Sequence, residues 1–181
     1  MQTPYVNNAF DGAWISFQGF AAGKRYRVYA YGGTFQKIDF KTYAWYKDDI
    51  INVVQWGSTQ WKSLDSAFYQ CTNLDVTATD KPDLSAGPSL QHMFQECKNL
   101  KYANGVINSW NMQNVYSVNS MFRGDSAFNQ PLGGWKLSRI GDMQYLFYDS
   151  GISCENVSTT LAQWKLQAEN NISRNNINMQ Y

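Results

Sequence analysis

The sequence predicts an α+β fold: a short solenoid like those built from leucine-rich repeats, with a β-rich N-terminal cap and a C-terminal helix. Three observations support this prediction. A motif recurs about every 26 residues, its apolar positions agree in type from copy to copy, and the flanking segments have strand-like and helix-like patterns. Because one such unit cannot bury its own apolar face, we expect stacked units to share a core.

Each repeat is anchored on a phenylalanine. The four anchors follow one another at intervals of 26, 28 and 25 residues, and they are Phe68, Phe94, Phe122 and Phe147. Apolar residues recur one, four and seven positions before most anchors, which indicates a short helical turn with one buried face. An extended piece follows, clearest in residues 74–79, where β-branched residues alternate. We therefore expect a helical turn and a short strand per repeat, with the four rings in file.

Three segments divide the chain. Residues 1–55 read as strands broken by turns, with a hairpin signal at Gly32-Gly33, and we expect them to cap the apolar end of the first repeat. Residues 56–168 hold the repeats and a terminal amphipathic helix from Glu155 to Ala168. Residues 169–181 are polar and rich in Asn, which predicts a tail. The apolar residues assigned to the helix are Val157, Leu161, Trp164 and Leu166.

The repeats also resemble a known family. Their pattern W-x-[LM]-x-x-[VI]-x-x-[MV]-x-x-[ML]-F, with FNQPL after the copy that begins at Trp110, is similar to the BspA-like leucine-rich repeats of bacterial surface proteins and lipoproteins. The likeness runs from Ile50 to Trp164, although Pro82 and Gly87 replace the Trp and Val of the second copy. The resemblance implies a non-enzymatic fold used for attachment and protein contacts, without a shared catalytic residue.

Charge and hydropathy exclude some classes of binding partner and bear on the location of the protein. A net charge of +1 without a long basic run argues against a nucleic-acid partner, and we interpret the one candidate patch, Lys24-Arg25-Tyr26-Arg27, as a solvated strand face. No run of about 18 apolar residues occurs, so we expect no membrane insertion. The N-terminus lacks the basic and apolar regions of a signal peptide. Since the family works outside the cell, we expect an extracellular or cell-surface location if a signal was removed, or a virion if Met1 is the native start.

Cysteines and motifs point away from catalysis. Three cysteines, an odd number, do not form a disulfide framework. Cys71 and Cys97 share a repeat position, and we expect free thiols there, with a bridge as the alternative. No CxxC occurs and His92 is the single histidine, so no metal or other cofactor is expected. No GxSxG, HExxH or phosphate loop is present, and we expect no enzyme.

A binding face is the remaining candidate for function. In a solenoid, equivalent exposed positions line up along one face. The positions one after and two before the anchors include Tyr and Arg, which are frequent in interface hot spots, although an ordinary solvated face is the alternative. The candidate face consists of Tyr69, Gln95, Arg123, Tyr148, His92 and Tyr145.

Two functions are compatible with this sequence. The first is an adhesin-like recognition module that binds a protein partner or a cell-surface ligand. The second is a structural virion component, such as a decoration or fibre protein of a bacteriophage, held by neighbouring subunits through its ends.

Overall fold

The structure is a computed structural model that describes residues 36–38 and 44–177, with the backbone alone for 44–46 and 171–177. The helices and strands are a 3₁₀ helix at Ala44–Asp49, β1 at Asn52–Val53, β2 at Asp75–Val76, a second 3₁₀ helix at Val106–Ser109, and α1 at Cys154–Ile177. Strands β1 and β2 pair in parallel, with Asn52 opposite Asp75. Most of the predicted β-rich cap, residues 1–35 and 39–43, lies outside the described residues.

Neighbouring repeats are joined by backbone hydrogen bonds at every second residue. At the first junction, the amides of Leu64, Ser66, Phe68 and Gln70 donate at 2.8–3.2 Å to the carbonyls of Ser89, Gln91, Met93 and Gln95. The corresponding positions are linked in the same way at the two later junctions. The repeats therefore lie side by side in chain order.

The amides between these cross-links close tight turns inside each repeat. Ala67 N–H donates to the Leu64 carbonyl, and Tyr69 N–H donates to the Ser66 carbonyl, both at 3.1 Å. A helix would use each of these amides internally, whereas here every second amide bonds the next repeat. The predicted helical turn is therefore wrong in detail, because the segment is a run of successive turns. Of the predicted strand at 74–79, Asp75–Val76 is a strand, but the described part of the later repeats contains none, so the prediction of one strand per repeat is wrong.

Two positions in each repeat have a positive φ. The angles lie between 53° and 75° at Ser66, His92, Ser120 and Tyr145, and at Gln70, Glu96, Gly124 and Asp149. A non-glycine residue in this region costs about 1–3 kcal/mol. The cross-repeat hydrogen bonds offset this cost, so the alternating backbone conformation is a property of the whole array.

The four anchor rings form one stack through the core. Successive centroids are 5.6, 6.0 and 6.3 Å apart, and the rings are within 13° of parallel. The first three rings are at most 3% exposed, and Phe147 at the end is partly buried. The anchors Phe68, Phe94, Phe122 and Phe147 therefore lie in file, in the register that the repeat spacing predicts.

The missing tryptophan of the second repeat changes how the core is filled. Pro82 occupies that position, and the Trp56 and Trp110 rings on either side meet edge to face at 5.5 Å. Tyr102 joins them: its hydroxyl accepts a hydrogen bond from Trp56 Nε1 at 3.2 Å. Gly87, the other departure, has φ 71°, and a Cβ there would lie 2.9 Å from the Asn114 carbonyl oxygen. The local backbone therefore accounts for this glycine.

Helix α1 packs on the backbone of the third repeat. The Leu132 N–H donates to Thr160 Oγ1 at 2.9 Å, and Trp164 Nε1 donates to the Leu132 carbonyl at 3.0 Å, both in buried surroundings. The predicted apolar face is wrong for Leu161 and Leu166, which are each 55% exposed. The helix docks through a polar Thr and the indole of Trp164 because the surface beneath it presents backbone polar groups.

The same helix replaces most of the predicted tail. It continues past Ala168 to Ile177, so residues 169–177 of the predicted polar tail are helical. Once its first turns are fixed by packing, each further residue adds one hydrogen bond at little cost, and a polar sequence is sufficient. Residues 178–181 lie outside the described residues.

Candidate binding face

The predicted face follows one edge of the repeats. The carbonyls of Gln95, Arg123 and Tyr148 each accept an amide of the preceding repeat at 2.8–3.0 Å, so these residues are neighbours from repeat to repeat. His92 and Tyr145 occupy the first of the two positive-φ positions. Side-chain contacts divide the six predicted residues into three groups along this edge.

The first group joins Tyr69 to a lysine that the sequence analysis did not identify. Lys47 Nζ lies 5.0 Å from the centroid of the Tyr69 ring and donates to Gln70 Oε1 at 3.1 Å. Lys47 is 8% exposed, so its charge is stabilised by the ring and the amide rather than by bulk water. Because Lys47 comes from the 3₁₀ helix before the repeats, no spacing in the sequence relates it to Tyr69.

The second group is a contact within one repeat. His92 Nδ1 donates to Gln95 Oε1 at 2.7 Å, across the same turn. Gln95 is only 9% exposed, so the prediction that it lines an exposed face is wrong. Its amide turns toward the imidazole. Within the described residues, His92 contacts no carboxylate of the kind that orients a catalytic histidine.

The third group, which we call the terminal aromatic cluster, consists of Arg123, Tyr145 and Tyr148. The Arg123 Cζ lies 5.1 Å from the Tyr148 ring centroid and 5.8 Å from that of Tyr145. The two rings meet edge to face at 5.9 Å and are 57% and 58% exposed. The structure thus brings together three of the six predicted residues as a solvent-facing cation–π cluster.

A shallow polar depression lies beside the first group. Lys47, Asp48, Gln70, Thr72, Glu96 and Lys98 line it. Two lysines face two carboxylates, and the Thr72 hydroxyl donates to Asp48, so the depression selects neither anions nor cations. Across residues 36–38 and 44–177, no group of three or more His, Cys, Asp or Glu could hold a metal ion.

Cys71, Cys97 and Asp125 occupy equivalent positions in successive repeats and form a buried polar column. This column holds no reactive nucleophile. Cys71 and Cys97 are free thiols, and the Cys97 thiol donates to the Phe68 carbonyl at 3.0 Å. Burial raises the pKa of Cys71 to about 12 and the pKa of Cys97 well above its ordinary value. Because both cysteines are free thiols, the alternative prediction of a Cys71–Cys97 bridge is wrong. Both thiols are protonated, and the reactive thiolate form is suppressed.

Asp125 continues this column into the third repeat. Its Oδ1 accepts the Cys97 N–H at 2.8 Å, and its Oδ2 is buried without a partner. Burial raises the pKa of the Asp125 carboxyl well above its ordinary value, with a smaller contribution from the charge of Glu96. A neutral carboxylic acid fits this position, because an isolated buried carboxylate is very costly.

Comparisons with known proteins identify a family but no individual relative. No curated protein and no solved structure matched the chain. Among the helices in the described part, none combines the length and apolar character needed to cross a bilayer. The sequence profile of one family matches residues 62–179, which is more than half of the chain and includes the repeats and α1. The chain therefore belongs to the family described as "Mycoplasma protein of unknown function, DUF285".

Proposed function

We propose that this chain is a short leucine-rich-repeat-like solenoid that acts as a non-enzymatic protein-interaction module of the adhesin type. The cross-repeat hydrogen bonds and the stack of four phenylalanine rings support the solenoid. The partner is a protein or another ligand on a cell surface, and the module works outside the cell.

The terminal aromatic cluster is the observation that carries this proposal. Tyr145 and Tyr148 expose more than half of their surface, and the Arg123 guanidinium lies against both rings. Stiff aromatic side chains give a large contact area at a low cost in conformational entropy, and Arg adds hydrogen-bond donors. An exposed cluster of these residue types has the composition of an interface hot spot.

The environments of His92, Cys71, Cys97 and Asp125 support a role without catalysis. His92 is paired with an amide, and burial favours the neutral forms of the two thiols and of the Asp125 carboxyl. The functional surface is therefore one of shape and hydrogen bonding, with no metal or organic cofactor in the proposed activity.

Binding to intact cells tests the proposal. Fluorescently labelled protein is titrated onto cultured animal cells, and bound fluorescence is measured by flow cytometry. We expect saturable binding that weakens at least tenfold in the double variant Tyr145→Ala/Tyr148→Ala, because it removes both rings of the cluster.

Tyr116→Ala is the matched control, since Tyr116 is a tyrosine exposed to nearly the same extent, 55%, outside the cluster. This variant should bind as the parent protein does. Binding that never saturates, or an equal loss in both variants, would contradict the proposal.

A further inference from the structure

The repeats have a direction along the stack. In each junction the four amides of one repeat point toward the following repeat, and the four carbonyls that accept them point back. The donors sit at alternate residues, and the residues between them use their amides inside the repeat. Within the run of turns, for example residues 89–96, one edge thus presents N–H groups alone, and the opposite edge presents carbonyls alone.

On its donor side, the last repeat meets no further repeat among the described residues. The N–H groups at the four equivalent positions, Met143, Tyr145, Phe147 and Asp149, have no acceptor among the described residues. We call this row the forward edge.

The forward edge is already in the conformation that receives a neighbour. Tyr145 and Asp149 have φ 56° and 57°, as at the equivalent positions of the interior repeats. The internal turns are also closed: Leu146 N–H donates to Met143, and Tyr148 N–H donates to Tyr145, at 3.3 and 3.1 Å. A partner would therefore meet an ordered row of donors, comparable to the backbone nests that bind acceptor groups.

An apolar surface accompanies these donors. The Phe147 ring stacks on Phe122 at 6.3 Å on one side, and no described residue supplies a ring on its other side, as a further repeat would. Ile140 and Met143 are also partly buried, whereas their counterparts in the third repeat, Val115 and Val118, are fully buried. This end therefore presents the apolar surface that the next repeat covers in the interior of the array.

Hydrogen-bond polarity limits what can occupy the forward edge. A second copy of this chain joined forward edge to forward edge would place N–H donors opposite N–H donors. An ordinary β-strand alternates N–H and C=O along its edge, so only half of the groups that it presents would be acceptors for the four N–H groups. The backward edge of a repeat-type turn run presents acceptors alone, at the spacing seen in the three internal junctions.

We propose that the forward edge binds a repeat-type segment of another polypeptide chain, which adds to this one as a fifth repeat. The segment supplies four carbonyls at alternate residues and an aromatic ring that continues the stack. Tyr145 and Tyr148 of the terminal aromatic cluster flank this edge and contact the same partner. This inference rests on the proposed binding role and names the chemistry of its partner.

Amide NMR with a peptide of known binding geometry tests the inference. The probe is a synthetic peptide of residues 135–153, because in the intact chain its carbonyls accept the four amides of the preceding repeat at 2.8–3.1 Å. It is titrated into the ¹⁵N-labelled full chain. We expect saturable shifts and slowed hydrogen exchange at residues 143, 145, 147 and 149, and smaller changes at 144, 146 and 148.

Three controls sharpen this experiment. A peptide of the same composition in scrambled order should leave the four amides unchanged. Phe147→Lys in the protein should weaken peptide binding at least tenfold, because it charges the open end of the ring stack, whereas Tyr116→Ala should not. If Phe147→Lys does not fold, the alternating pattern in the parent protein still decides the matter.

Other outcomes count against the inference. If a poly-glutamate peptide shifts the four amides and the repeat peptide does not, the edge is a site for carboxylates and the proposal is overturned. Uniform shifts without alternation, or no shifts, also overturn it. Cell binding that depends on Tyr145 and Tyr148 without peptide binding leaves the proposed function standing and removes this inference alone. The reverse result removes the cell-surface function.

Discussion

The carboxyl group of Asp125 is buried with one of its oxygens lacking a hydrogen-bond partner among the described residues. Its other oxygen accepts a single backbone N–H. Its pKa is raised well above the ordinary value by burial. The folded protein therefore holds a proton that the unfolded chain releases near pH 4.

Stability should consequently fall as pH rises. Since the folded pKa lies above the unfolded one, the contribution of neutral Asp125 is complete below about pH 4 and is lost toward the folded pKa, by up to about 1.4 kcal/mol per pH unit. Asp125→Asn keeps the shape without the titration. Urea unfolding of both proteins between pH 5 and 8 should show the parent losing stability relative to the variant. A difference that stays constant, or grows in favour of the parent, would refute this assignment.

At the scale of elements, α1 is attached to the repeats by side-chain hydrogen bonds along its length. Thr160 and Trp164 bond the backbone of Leu132, and Gln167 Nε2 donates to the Gly133 carbonyl at 2.8 Å. At the start of the helix, Ser153 Oγ accepts the Asn156 N–H at 3.2 Å as an N-cap. The helix is thus positioned by specific hydrogen bonds more than by a wide apolar face.

Thr160→Val tests this mode of attachment. The variant keeps the size and branching of the side chain but leaves the buried Leu132 N–H without an acceptor, which should cost about 1–3 kcal/mol of unfolding free energy. Leu161→Ala, at an exposed neighbouring position, should change stability by less than about 0.5 kcal/mol. Both are measured by chemical denaturation monitored by circular dichroism. Equal effects of the two substitutions would show that Thr160 does not anchor the helix.

At the scale of the whole molecule, the ring stack runs through all four repeats. An interior ring such as Phe94 contacts a ring on each face, whereas Phe147 stacks on one side and is partly exposed on the other. The contribution of a ring to global stability should therefore depend on its place in the stack.

Phe94→Ala should destabilise the protein by about 3–5 kcal/mol, because it removes a fully buried ring and leaves a cavity between two others. Phe147→Ala should cost clearly less, since part of its cavity is open to water. Denaturant midpoints of the two variants, compared with the parent, give the order. If Phe147→Ala is the more damaging change, the end of the stack is covered in solution by something other than the described residues.

Much of the site followed from the repeat register, and part of it did not. The positions of Arg123, Tyr145 and Tyr148 relative to the anchors placed them on one edge, where the structure brings them into contact. The same rule assigned Gln95 to an exposed face, yet its side chain turns in to bond His92. The position of a residue within the repeat predicts which edge it occupies, but the rotamer of its side chain depends on the residues around it.

The sequence by itself determined the register, that is, which residues repeat and which of them face the shared interior. Buried positions require apolar residues, so these residues recur at the period of the repeat. Only the tertiary structure decided the direction of the backbone hydrogen bonds, the contact of Lys47 with Tyr69, and the polar docking of α1. The contacts of Lys47 and of α1 join residues that no sequence period relates, and the direction of the cross-repeat hydrogen bonds depends on the backbone conformation. The forward edge, whose four N–H groups have no acceptor among the described residues, also had to be found in the structure, because backbone polarity is independent of side-chain identity.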